Sequence, residues 1–139
     1  MAAATSIMRA QQIILARVDE ALKPFELTFA RYEALVLLTF SHRGSLPLGK
    51  MGERLMIHPT SVTNIVDRLE AQGLVRRVDH PTDRRTTLCE ITTDGREVVD
   101  KATAAVTAGE LGISGLAESE VDRLTKLLWK LRQASGDFD

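Results

Sequence analysis

With 139 residues, 44% hydrophobic and 27% charged, the chain has the length and composition of one globular domain able to bury a real core. No apolar run approaches the roughly 20 residues of a membrane span, the opening MAAATSIMRAQQ lacks the apolar core of a secretory signal, and a single cysteine excludes an internal disulfide, so a cytoplasmic, membrane-free setting is expected. A formal charge of −1 argues against a uniformly basic nucleic-acid binder, but the stretch from His42 to Arg85 holds eight basic residues against five acidic, a local balance of +3 that leaves −4 for the rest.

Hydrophobic period predicts mostly helix. Ile7 to Leu22 carries Ile7, Ile14, Leu15, Val18 and Leu22 as an apolar stripe and ends near Pro24. Thr28 suits the cap of a second helix through Phe40, although Arg31 three residues on supplies no capping box; Tyr32, Leu35, Val36 and Phe40 form its apolar face. SHRGSLP breaks the pattern. A short third helix spans about Leu48 to Leu55, with Leu48, Met51 and Leu55 on one face and Gly52 where a neighbouring helix can come close.

HPTSVTNIVDRLEAQG predicts a fourth helix. Pro59 suits its first turn, Gly73 suits the left-handed position beyond its end, and Val62, Ile65, Val66 and Leu69 form an apolar stripe. The opposite face carries Thr60, Ser61, Thr63, Asn64, Asp67 and Arg68. Most polar helix faces are simply solvated, but those are rich in Lys and Glu, whereas Thr, Ser and Asn are poorer helix formers. Short hydrogen-bonding side chains crowded toward the positive end of a helix suit contact with phosphates and base edges. Both readings stand on the composition of this face alone.

LVRRV and TTLCEIT then alternate like two short strands, and DHPTDRR between them has turn chemistry, which makes a hairpin with Arg84 and Arg85 at its tip. Thr92 or Asp94 can cap a helix to about Ala108, and GELGISGL interrupts it. A last helix runs from about Glu118 to Gln133, with Val121, Leu124, Leu128 and Leu131 spaced like a coiled-coil seam and Leu127 widening it. Plain core packing fits that spacing equally well.

As a set, HPTSVTNIVDRLEAQGLVRR, DHPTDRR and ITTDG resemble the winged helix-turn-helix of the multiple antibiotic resistance regulator (MarR) family. The resemblance covers about Gly44 to Gly95, and the flanking helices match in order and length. It implies a mainly α fold with a small β-wing: one domain over 1–139, with a DNA-binding lobe at about 28–95 and dimerisation helices at about 1–24 and 94–135. It also implies that Pro59, Thr60, Ser61, Thr63, Asn64 and Arg68 lie in the major groove of DNA and that Arg84 and Arg85 approach the minor groove and backbone. Asp67 resembles an acidic position that pairs with the second wing arginine, here Arg85, orienting the wing and leaving Arg84 freer for DNA. Met56 departs from the pattern, because relatives often have Gly in this turn; a wider turn is expected.

No catalytic constellation is found. His42, His58 and His80 lack metal-ligand spacing, and there is no Gly-rich phosphate loop or nucleophile elbow. Cys89 falls in an expected strand with no cysteine partner and reads as a structural thiol, unlike the amino-terminal oxidant-sensing cysteine of some relatives. The function that the resemblance implies is a homodimeric repressor, without enzymatic activity, bound to a pseudo-palindromic double-stranded operator. By resemblance, a small aromatic or phenolic acid is its expected effector, with no other cofactor and no metal. The rival is a winged-helix module that binds protein without specific DNA binding.

Overall fold

The computed structural model describes residues 1–138. In chain order the elements are α1 (Ala2–Leu22), α2 (Phe29–Thr39), β1 (Ser45–Pro47), α3 (Leu48–Leu55), α4 (Pro59–Ala71), β2 (Val75–Asp79), β3 (Thr87–Ile91), α5 (Thr93–Ala108) and α6 (Glu118–Ala134), with 3-10 turns after α1, before β1 and after α5. None of these helices is long and apolar enough to cross a membrane. The three strands form an antiparallel sheet in the order β1-β3-β2. The edge strand β1 lies in the segment where the sequence pattern predicts only an interruption, and it pairs Leu46 with Cys89.

One buried cluster joins α2 to every element of the central region. Leu35 and Leu38 of α2, Met51 of α3, Val66 and Leu69 of α4, Val75 of β2 and Cys89 of β3 belong to it. Burial of each large side chain contributes roughly 1.5 to 3 kcal/mol, so this cluster is the main source of stability for the central region. Gly52 lets α3 close on α4: a β-carbon there would lie 3.2 Å from Val62 Cγ2 and 3.3 Å from the Ile57 carbonyl oxygen.

The chain turns between elements through side-chain caps, which satisfy the free N–H groups of helix starts. Thr28 Oγ1 accepts from the Arg31 amide at 3.4 Å, and Asp19 of α1 accepts from the Phe29 amide at 2.7 Å. Thr92 is the cap of α5: its Oγ1 accepts from the Gly95 amide at 3.0 Å and donates to the Gly73 carbonyl at 2.7 Å. Gly95 is forced by a close approach, since a β-carbon there would stand 2.2 Å from the Leu74 carbonyl oxygen. ITTDG is thus a joint fastening α5 to the end of α4.

The first and last helices behave differently. α1 begins at Ala2, earlier than the stripe from Ile7 indicates, and buries only Val18 and Leu22. α6 buries none of its residues. An apolar groove of about 300 Å³ lies between α1 and α6, lined among others by Ile7, Ile14, Leu15, Leu124 and Leu128, with Gln11 its one polar wall residue.

Candidate nucleic-acid interface

α4 presents the face that the sequence pattern singles out. Pro59 is its first residue, and Val62, Val66 and Leu69 turn inward. Thr60, Ser61, Thr63, Asn64, Asp67 and Arg68 are all exposed. His58 caps this helix, its Nδ1 accepting from the Thr60 amide at 3.1 Å. His58 was not among the site residues expected from the sequence; its place immediately before Pro59 was the available signal. Thr63 Oγ1 donates to the Pro59 carbonyl at 3.1 Å, which leaves its oxygen free to accept.

The α3–α4 turn keeps ordinary dimensions despite Met56. This residue adopts the left-handed conformation (φ 55°, ψ 45°) that glycine takes at lower cost, and the Ile57 amide still closes the helix end on the Gly52 carbonyl at 3.1 Å. The expected widening is absent because Met56 accepts backbone strain instead.

The hairpin of β2 and β3 projects as a wing. Its tip is a β-turn from Asp83 to Thr86, closed by the Thr86 amide on the Asp83 carbonyl at 3.1 Å, with Arg84 and Arg85 as the central residues. Asp83 fastens the turn, its carboxylate accepting from the Arg85 amide at 2.9 Å and the Thr86 hydroxyl at 2.9 Å. Those bonds, the Arg85 amide first, hold the Asp83 carboxyl below its ordinary pKa. His80 Nδ1 accepts from the Thr82 and Asp83 amides at 3.2 and 3.0 Å. Both arginine side chains are exposed at the tip.

The partner of Asp67 differs from the expectation. Its carboxylate meets Arg77 of β2, at 2.5 Å, rather than Arg85. Arg77 also reaches Glu70 at 2.8 Å, and the Arg77 amide donates to the same carboxylate at 3.0 Å. Arg85 lies at the far tip, whereas Arg77 is on the stem beside α4. Period two along β2 held the signal: Arg77 shares a strand face with the buried Val75, while Arg76 faces away and pairs with Glu90 directly across the sheet. Asp67 and Glu70 therefore anchor the stem of the wing to α4, and the two tip arginines are both left to outside partners.

Arg68 stands apart from the anchor. It lines a cleft with Glu26 and Arg31, the latter at the start of α2 and outside the site residues expected from the sequence. Cys89 is buried in β3, and burial pushes its thiol pKa up to about 12, so it is a structural thiol at neutral pH.

A three-helix lobe whose last helix exposes a polar face, followed by an anchored two-stranded wing with cationic tip, is a winged helix-turn-helix. Comparison with known proteins agrees: the MarR family profile matches residues 30–87. The crystal structure of Sco5413, a MarR family transcriptional regulator from Streptomyces coelicolor, is similar over 100% of this chain and 96% of that one, with TM-score 0.94 and 56% identity. Sco3205, a MarR family regulator from the same organism solved in complex with DNA, is 25% identical with TM-score 0.83, covering 94% of this chain and 83% of its own. CouR from Rhodococcus jostii RHA1, solved bound to p-coumaroyl-CoA, is 28% identical with TM-score 0.76, covering 90% and 87%. The chain belongs to the MarR family of transcriptional regulators.

Proposed function

We propose that the chain works as a homodimeric repressor that binds a pseudo-palindromic operator, with α4 in the major groove and Arg84 and Arg85 at the minor groove and backbone. The observation that carries the dimer is α6. Leu124, Leu127, Trp129 and Leu131 are 38 to 64% exposed on a single chain, and covering the exposed part of such side chains is worth roughly 0.6 to 2 kcal/mol each. A second copy laid against α1 and α6 covers them, and its two-fold axis presents two α4 helices to successive major grooves.

Release by a small aromatic or phenolic acid is the regulatory half of the proposal. The apolar groove of about 300 Å³ between α1 and α6 suits an aromatic ring, and CouR holds an aromatic acyl thioester. Such a ligand acts only if it prefers the dimer geometry in which the α4 helices are misspaced for DNA.

Sedimentation of the wild type and of a Leu124→Asp/Leu128→Asp variant tests the dimer. The wild type is expected to be a dimer at micromolar concentration. The variant should be monomeric, keep its lobe folded and bind an operator at least about 100-fold more weakly, because the second half-site no longer binds as part of one molecule. A monomeric wild type, or undiminished DNA affinity in a monomeric variant, contradicts the proposal.

A further inference from the structure

We infer that the cleft between the start of α2 and the end of α4 is an oxyanion seat of phosphate type, built by Arg31, Arg68 and Gln72. Its volume is about 260 Å³, and Glu26 is the one acidic residue in its wall. Neither arginine has a carboxylate within 4 Å among the described residues. Arg31 donates only to neutral acceptors, from Nε to Thr28 Oγ1 at 3.3 Å and from Nη1 to the Glu26 carbonyl at 3.3 Å. Among the described residues three of its N–H groups remain free, and no partner takes any from Arg68.

The charge balance favours an anion. Within the wall of the cleft two guanidinium groups stand against one exposed carboxylate, while the start of α2 is already capped by the Asp19 carboxylate. Gln72 adds an independent sign of incompleteness. Its Nε2 donates to the Glu26 carbonyl at 2.9 Å, which fixes the amide orientation, and its Oε1 is the one buried side-chain polar atom without a partner among the described residues. An orphaned buried acceptor costs free energy. A guanidinium drawn over the cleft by a bound oxyanion can hold the anion through two N–H groups and give another to Oε1. The same arrangement therefore binds the anion and completes the hydrogen bonding of Gln72.

Two sources share this chemistry: a backbone phosphate of the duplex read by α4, whose exposed face includes Arg68, and the phosphate group of a free small molecule. The first source rests on the DNA-binding function proposed above, and the second does not. Two titrations of wild type and Arg31→Ala separate them, with Arg31→Gln as a second variant able to keep the bonds to Thr28 and Glu26. In the first, DNA affinity is measured against salt. Loss of about one unit from the logarithmic salt slope in the variants assigns the seat to a duplex phosphate. In the second, DNA-free protein is titrated with inorganic phosphate at constant ionic strength while the Gln72 side-chain amide resonance is followed. A saturable shift in the wild type that both variants lose, with an unchanged salt slope, assigns the seat to a free phosphate group. An unchanged slope together with no saturable shift overturns the inference. If the protein binds no DNA at all, the phosphate titration alone decides.

Discussion

α4 and α6 are both amphipathic helices, of 13 and 17 residues, and the chain treats them in opposite ways. α4 buries Val62, Val66 and Leu69 against its own domain and shows a polar face outside. α6 buries nothing and shows Leu127, Trp129 and Leu131 outside. An apolar stripe needs a partner, and within a single chain the stripe of α4 has one while that of α6 does not. The buried cluster also takes in Val18 and Leu22 of α1 and Val99, Ala102 and Val106 of α5, so α6 is the helix that the single chain leaves uncovered.

The largest effect that sharpens this contrast is in the lobe. Leu69→Ala should destabilise the protein by roughly 2 to 5 kcal/mol in chemical denaturation, since the side chain is fully buried. Leu127→Ala on α6 should leave the lobe's own unfolding almost unchanged at concentrations where chains are separate; an equal loss from both would erase the distinction.

Cys89 gives the next effect and separates core from surface by pH. Its folded-state pKa is raised by burial to about 12. An unfolded thiol ionises near 8.5, so between that pH and about 12 the folded chain holds the proton and the unfolded chain does not. Stability from this group is complete below the lower value and is lost as pH rises, by up to roughly 1.4 kcal/mol per unit. The stability difference between wild type and Cys89→Ala should therefore shrink from pH 9 to 11, and a constant difference would show the thiol to be solvated.

Arg77→Ala should cost about 1 kcal/mol, discounted because Asp67 and Glu70 are 57 and 42% exposed. Hydrogen exchange should quicken in β2 and β3 while α5 is unaffected. Exchange unchanged in the wing would mean that the anchor does not hold it. The smallest effect is a gain: Met56→Gly should stabilise by somewhat under 1 kcal/mol by relieving the left-handed backbone, read as a higher melting temperature.

Much of this was legible in the sequence for local reasons. α3 runs from Leu48 to Leu55 and α4 starts at Pro59, as period and capping residues indicate, and the polar face of α4 is exposed throughout. What escaped depends on contacts distant in sequence. β1 is three residues long and is a strand only because β3 lies beside it. The choice of Arg77 over Arg85 follows from which end of the hairpin reaches α4, and Arg31 meets Arg68 only when α2 packs against α4. The seam on α6 was ambiguous by periodicity, because a core stripe and a dimer stripe share one spacing; on the single chain none of it is buried.

The central claim is that two copies of this lobe read one duplex together. Selection of bound duplexes from a random DNA pool by the purified protein, at near-physiological salt, tests it most directly. The account predicts an enriched two-fold-symmetric motif with half-sites about 10 to 10.5 base pairs apart. Recovery of a single unsymmetrical half-site, or of unenriched sequence, would contradict it.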